Sequence, residues 1–167
     1  MSAMRPSAHP AWRTFAAPLV AMALLACLIG WPAQAQRLGV LDVRSAHAKA
    51  MAGEIVLVDI RTPPEWRETG LPASAHAVDM EQKAEVVLGA LTKLVGGDKT
   101  KPLALICQTG GRSGFLAGQL KRVGFTQVID VSEGMGGSRA GPGWLKSGLP
   151  TRPGAEASQP PKLGTTQ

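Results

Sequence analysis

The sequence contains no tyrosine and only three phenylalanines, although 44% of its 167 residues are hydrophobic. Its core must therefore be mostly aliphatic, and its length suits one domain rather than two. The sequence also lacks a dense block of Lys or Arg, although its formal net charge is +6. Because nucleic-acid-binding surfaces cluster basic residues on one element, we expect no nucleic-acid partner. A mild positive excess instead suits a small anionic substrate.

Acidic residues are absent from the first 35 residues, which have the pattern of a secretory leader. A basic start with Arg5 and Arg13 precedes an apolar stretch at residues 15–31, and Ala33-Gln34-Ala35 fits a small-x-small cleavage site. We therefore predict a signal peptide over residues 1–35 and export to the periplasm. The remainder of the chain would carry a net charge of +4, since the leader holds two of the basic residues and no acidic one.

Two alternatives to cleavage before Gln36 remain open. In the first alternative, the leader stays uncut and acts as a membrane anchor. In the second, residues 24–27 (Leu-Leu-Ala-Cys) act as a bacterial lipobox, which makes Cys27 a lipidated first residue. We favour cleavage because apolar residues continue past Cys27. Contact with a membrane is expected only in these two alternative cases.

Only two cysteines are present, Cys27 and Cys107. Once the leader is removed, Cys107 has no partner for an internal disulfide. No second cysteine would then resolve a mixed disulfide, which argues against a thiol redox protein. A buried, inert cysteine is the alternative, but the residues around Cys107 favour a reactive thiol.

Strand and helix patterns alternate between the leader and the end of the chain. Short aliphatic runs predict strands at residues 55–60, 77–80, 102–106 and 127–131. Apolar spacing and stop signals predict helices at residues 44–52, with Ser45 as cap, 80–95 and 113–123, and a helical turn at 144–147. The alternation is typical of an α/β domain with an open parallel sheet flanked by helices on both faces, here over residues 36–150. Residues 151–167, rich in Pro, Ser and Thr, are predicted to form a disordered tail.

The segment Cys107-Gln108-Thr109-Gly110-Gly111-Arg112-Ser113 joins a predicted strand to a predicted helix. Ligands of open parallel sheets bind beyond the carboxyl ends of the strands. The two glycines let successive backbone N–H groups point inward, the helix adds its positive end, and Arg112 adds a full charge. All three effects favour the thiolate over the thiol and would stabilise an anionic persulfide.

The length of this loop argues against phosphate chemistry. Cysteine phosphatases place five residues between Cys and Arg in a related loop, whereas only four, Gln108 to Gly111, separate Cys107 from Arg112. The shorter loop makes a smaller bowl, which admits a sulfur atom more readily than a phosphate group.

Cys107 to Ser113 resembles the active-site motif C-x-x-G-x-R-S of single-domain rhodaneses. Residues 59–66, Asp-Ile-Arg-Thr-Pro-Pro-Glu-Trp, resemble the family's D-[VI]-R-x-x-x-E-[WFY] segment. Gly136-Gly137, Trp144 and Gly148-Leu149-Pro150 are similar to its closing G-G-x-x-x-W-x-x-x-G-x-P. Three motifs in the family's order make the resemblance specific.

The resemblance implies a rhodanese-like fold and sulfurtransferase activity that needs no cofactor or metal. Cys107 would take a sulfane sulfur from a small anionic donor such as thiosulfate. A thiophilic acceptor, whether cyanide, a thiol or an acceptor protein, would then remove that sulfur. The resemblance also implies a substrate-binding cradle braced by its last two members: Gln108, Thr109, Gly110, Gly111, Arg112 and Ser113.

The sequence departs from the family pattern at three places. Residues 70–75 lack the His and second Gly of the usual G-H-[IV]-P-G-A, and residues 138–143 are inserted before Trp144. Gln108 and Thr109 are neutral where some thiosulfate-preferring relatives have basic residues, so the donor stays open. The alternative function is a persulfide carrier or a protein-interaction module without small-molecule turnover.

The remaining candidate residues receive structural roles. We predict that Asp59 anchors structure or pairs with an arginine. The others are interpreted as packing residues (Trp66 and Trp144), as solvent-facing or structural histidines (His47 and His76), and as surface charges (Glu81 and Glu133).

Overall fold

Seven short strands form in the computed structural model, which describes residues 39–154. They are β1 (Gly39–Val40), β2 (Val56–Asp59), β3 (Leu71–Pro72), β4 (His76–Ala77), β5 (Leu103–Ile106), β6 (Val128–Asp130) and β7 (Thr151–Arg152). Five of them make one parallel sheet in the order β1-β6-β5-β2-β4. The central strands β2 and β5 consist of aliphatic residues except for Asp59, which is why they lie in the middle of the sheet.

Five helices accompany the strands: α1 (Val43–Met51), α2 (Pro63–Thr69), α3 (Ala84–Leu94), α4 (Gly111–Arg122) and α5 (Gly143–Lys146). Alternate residues of the central strands pack into two separate apolar clusters, as the two-residue period of a strand requires. Helices α3 and α4 belong to the cluster that contains Val58 and Leu105. Helices α1 and α5 belong to the cluster that contains Leu57 and Ile106. The predicted parallel sheet with helices on both faces is confirmed.

The helix starts differ from their predicted positions for local reasons. Asp42, not Ser45, caps α1, because its carboxylate accepts hydrogen bonds from the N–H of Ser45 at 2.9 Å and from its hydroxyl at 2.7 Å. Helix α3 begins at Ala84 instead of residue 80, since Asp79 holds the preceding residues in a turn by accepting from the N–H of Glu81 at 2.9 Å.

The domain continues beyond its predicted end at Pro150. Thr151 and Arg152, placed in the disordered tail by the sequence analysis, form β7 and pair antiparallel with β3, with Leu71 opposite Arg152. Two-residue strands carry no periodic signal, so composition alone assigned them to the tail.

Two of the sequence predictions concern residues outside the described range. The leader over residues 1–35, with the lipid-anchor alternative at Cys27, and the tail from residue 155 onward stay predictions. Within residues 39–154, no helix is long and apolar enough to cross a membrane.

Candidate active site

Cys107 lies directly after β5, at the carboxyl end of a central strand, and only 1% of its surface is exposed. Its Sγ accepts hydrogen bonds from the N–H groups of Gly110 at 3.2 Å and Ser113 at 3.4 Å. The Ser113 hydroxyl lies 3.4 Å from the same sulfur and donates to the Gly110 carbonyl at 3.0 Å. The inward-pointing N–H groups expected from the sequence are thus directed at the thiol.

The curl of the loop depends on Gly110. This residue has φ +86° and precedes the first residue of α4, so the positive end of that helix faces the sulfur. A Cβ at Gly110 would lie 2.2 Å from the Ser132 carbonyl oxygen, so it would clash with a backbone atom and not with a flexible side chain. Any other residue would therefore be excluded both by conformation and by space.

A second glycine-rich segment packs on the back of the loop. The N–H of Met135 donates to the Cys107 carbonyl at 2.8 Å, and the N–H of Gly136 donates to the Gln108 carbonyl at 2.9 Å. A Cβ at Gly134 would lie 2.5 Å from the same Gln108 carbonyl oxygen. The shape of the loop is therefore set jointly by its own sequence and by residues that come about 25 positions later.

Arg61 is fully buried and supports the loop from below. Its Nε and Nη2 bind both carboxylate oxygens of Asp59 at 2.7–3.0 Å, which confirms the predicted pairing of Asp59 with an arginine. Burial raises the pKa of Asp59, and the hydrogen bonds from Arg61 oppose that shift. The Nη1 of Arg61 reaches the Oε1 of Gln108 at 3.3 Å. One of the loop residues is thus tied to the interior of the domain.

Arg112 braces the loop from the side by binding Glu65, a residue of the 59–66 motif for which the sequence predicted no role. Its guanidinium binds Glu65 through two hydrogen bonds, of 2.5 Å and 2.9 Å. The same carboxylate caps α2 by accepting from the N–H of Thr62 at 3.0 Å. The bonds from Arg112 and Thr62 lower the pKa of Glu65 to about 2. The charge of Arg112 is therefore shared with Glu65, whereas the sequence predicted that its full charge acts on the loop.

A family model of the rhodanese-like domain matches residues 42–139, more than half of the chain. The chain belongs to the rhodanese-like family. A rhodanese-like domain from Anabaena superposes with a TM-score of 0.53 at 16% identity, covering 76% of this chain and 88% of that one. A rhodanese-like domain protein from Staphylococcus aureus gives a TM-score of 0.50 at 20% identity, covering 69% and 99%. An uncharacterized protein of Rickettsia conorii is 28% identical over 102 residues, which are 56% of this chain and 80% of the relative.

The helical turn that bears Trp144 of the closing motif is bonded to the segment that precedes Gly136-Gly137. The N–H of Trp144 donates to the Gly134 carbonyl at 2.9 Å, and the N–H of Leu145 donates to the Met135 carbonyl at 3.1 Å. The helical turn that bears Trp144 is therefore joined to Gly134 and Met135. Of the inserted residues 138–143, residues 138–142 form a separate turn, in which the N–H of Ser138 donates to the Gly141 carbonyl at 2.9 Å.

Glu133 of the rhodanese-like domain is not a surface charge, so that prediction was wrong. It is 6% exposed, and its carboxylate accepts from the N–H of Gly143 at 3.0 Å and of Val43 at 3.3 Å. These are the first residues of α5 and α1, so one carboxylate binds the positive ends of two helices. Glu81, by contrast, is exposed as predicted.

Asp130 is a buried carboxyl that the sequence did not single out. It is the last residue of β6 and is 7% exposed. A Cβ built at Gly114, in the first turn of α4, would lie 3.4 Å from its Oδ2. Burial raises its pKa, and the Ser113 hydroxyl opposes this. No hydrogen-bond partner for its Oδ1 exists among the described residues.

The tryptophans and histidines have structural surroundings. Trp66 and Trp144 are buried, which confirms their predicted packing roles. The ring of His47 meets Trp144 edge-on with the centroids 5.4 Å apart, while His76 is exposed. Across residues 39–154, no three side chains of the metal-ligating types lie close enough together to hold an ion.

Proposed function

We propose that this protein is a sulfurtransferase in which Cys107 carries the transferred sulfur as a persulfide. The observation that supports the proposal best is the set of backbone donors around the sulfur. Two N–H groups, those of Gly110 and Ser113, donate to Sγ. Four others in the same loop, those of Gln108, Thr109, Gly111 and Arg112, donate to no acceptor among the described residues.

N–H groups without an acceptor beside the Cys107 sulfur suit a persulfide, whose negative charge lies one atom further from Cβ than that of the thiolate. In the proposed first step, the Cys107 thiolate attacks the sulfane sulfur of thiosulfate. A new S–S bond forms, the S–S bond of thiosulfate breaks, and sulfite leaves with the electron pair. The terminal sulfur of the persulfide then carries the negative charge, which the unused N–H groups and the helix end stabilise.

The second step regenerates the enzyme. An acceptor such as cyanide attacks the terminal sulfur, and the Cys107 thiolate leaves as thiocyanate forms. Cys107 is almost fully buried, while Thr109 and Gly111 are exposed at the rim. Small reagents therefore fit this route better than large ones.

Thiocyanate formation from thiosulfate and cyanide tests the proposal. The chain provides a matched pair of variants, because Cys107→Ser and Cys27→Ser make the same change at the two cysteines. We expect turnover by the wild type and by Cys27→Ser, and none by Cys107→Ser. Equal turnover by Cys107→Ser would remove this residue from the mechanism and overturn the proposal.

The alternative function, a persulfide carrier for a dedicated acceptor protein, has a different outcome in the same experiment. A carrier would show no thiocyanate turnover, yet its intact mass would rise by one sulfur atom at Cys107 after incubation with thiosulfate. No turnover together with no gain in mass would instead favour a protein-interaction module.

A further inference from the structure

The arginines of the two motifs offer little free charge to a negatively charged donor. Arg61 is fully buried and bound to Asp59, and Arg112 is held by both carboxylate oxygens of Glu65. The two variable loop residues, Gln108 and Thr109, are neutral. An anion that approaches Cys107 therefore meets backbone dipoles and a neutralised ion pair, but no unpaired cation from the motifs.

The turn at residues 138–142, which belongs to the insertion at 138–143, carries one cation, Arg139. In the described part of the chain, no hydrogen bond or ion pair engages its guanidinium, and the side chain is exposed. The turn beneath it is well held. The Ser138 hydroxyl donates to the Ser132 carbonyl at 2.8 Å and accepts from the N–H of Ala140 at 3.0 Å. Arg139 thus stands between two residues whose backbone is fixed.

The base of this turn lies against the Cys107–Ser113 loop. The Ser138 hydroxyl donates to the Ser132 carbonyl. The same carbonyl oxygen would lie only 2.2 Å from a Cβ at Gly110. On the other side, a Cβ at Gly136 would lie 2.7 Å from the Nε2 of Gln108. The base of the turn therefore contacts the loop at Gly110 and at Gln108, which places Arg139 on a turn next to that loop.

We infer that Arg139 recognises the anionic group of the sulfur donor, so that the inserted turn supplies the cation that positions 108 and 109 lack. The inference rests on the proposed function and extends it to the selection of a negatively charged donor. An exposed guanidinium on a turn next to a site whose other charges are paired raises the local concentration of anions and their rate of encounter. Its planar donors also match the oxygens of a thiosulfate-like group.

A pair of alkylating reagents tests the inference without relying on turnover. Iodoacetate and iodoacetamide react with the same thiolate, but only iodoacetate is an anion. The rates at Cys107 are followed by peptide mass spectrometry in full-length protein, for the wild type, Arg139→Gln, Arg139→Glu and Arg122→Gln. Arg122 is a suitable control because it is exposed at the opposite end of α4, about 17 Å along the helix from the loop.

We expect Arg139→Gln to lower the ratio of the iodoacetate rate to the iodoacetamide rate about threefold to tenfold at low salt, and Arg139→Glu to lower it further. Arg122→Gln should leave the ratio unchanged. The KM for thiosulfate should rise in Arg139→Gln and rise further in Arg139→Glu. A ratio that is equal in the wild type and both Arg139 variants would overturn the inference, even if thiosulfate turnover is observed. Absence of turnover in the wild type would contradict the proposed function, while the alkylation ratio would still decide the role of Arg139.

Discussion

Two arginine–carboxylate pairs flank the Cys107–Ser113 loop, and they differ in burial. Asp59 and Arg61 meet at 2.7 Å with neither side chain exposed. Glu65 and Arg112 meet at 2.5 Å with 25% and 32% of their side chains exposed. Both carboxylates come from one short segment of sequence, residues 59–65, yet one pair lies below the loop and the other lies at its rim.

The comparison shows how one kind of interaction performs two tasks. A buried ion pair is tolerated only when all its polar atoms are satisfied, and Arg61 meets this condition through Thr69 at 2.7 Å and the Gly70 carbonyl at 2.7 Å as well as Asp59. The rim pair is partly solvated, so it stabilises the fold less while it still holds Arg112 against α2. A third ion pair, Lys49 with Glu54, has both side chains about half exposed and shares no residue with the other two pairs. The three pairs form a graded series in which burial is the main variable.

The largest effect is expected at the buried pair. Asp59→Asn leaves the Arg61 guanidinium buried without its counter-charge and should lower the free energy of unfolding by ~3–5 kcal/mol. Urea denaturation measures this. If the variant fails to fold, Asp59→Leu combined with Arg61→Met provides the check, because removing both charges should recover much of the loss. If Asp59→Asn lowered the free energy of unfolding by less than about 1 kcal/mol, the buried pair would not stabilise the fold more than the other two pairs do.

Glu65→Gln should have the intermediate effect. It removes the charge that binds Arg112 and weakens the cap of α2, so the free energy of unfolding should fall by about 2 kcal/mol. Because the loop loses its lateral brace, the KM for thiosulfate should also rise. Urea denaturation and steady-state kinetics measure the two effects. Glu54→Gln, the same change in the exposed pair, is the matched control and should affect neither.

The same carboxylate should be visible in the pH dependence of stability. The pKa of Glu65 is lowered from 4.5 to about 2 in the folded protein. Its stabilising contribution is therefore complete above about pH 4.5 and is lost as the pH falls towards 2. Urea midpoints measured across this window should converge for the wild type and Glu65→Gln at the acid end. Parallel curves would show that the ion pair does not cause the difference.

The smallest effect is expected at the exposed pair. Lys49→Met should change the free energy of unfolding by less than about 0.5 kcal/mol, because the Lys49–Glu54 pair is solvated and screened by salt. Urea denaturation at low and high salt measures it. A loss as large as that of Glu65→Gln would mean that burial does not order the three pairs.

Sequence patterns predicted the parallel sheet, its helices and the Cys107–Ser113 loop, since aliphatic runs, apolar spacing and glycines act through neighbours along the chain. They failed where distant segments meet. Glu133 looked like a surface charge because its acceptor role depends on Val43, 90 positions away. Asp130 carried no signal either, since only the fold places it under the first turn of α4.

The sequence by itself indicated Cys107 as the candidate nucleophile, the two glycines that let its loop curl and the alternation that makes the sheet parallel. Only the tertiary structure decided which charges remain free. Arg112, Arg61 and Arg139 are equally cationic in the sequence, but folding binds the first to Glu65 and buries the second against Asp59. Arg139 remains exposed and unpaired within the described residues. The physical reason is that ion pairing depends on distances in space, which chain order does not fix for segments brought together by packing.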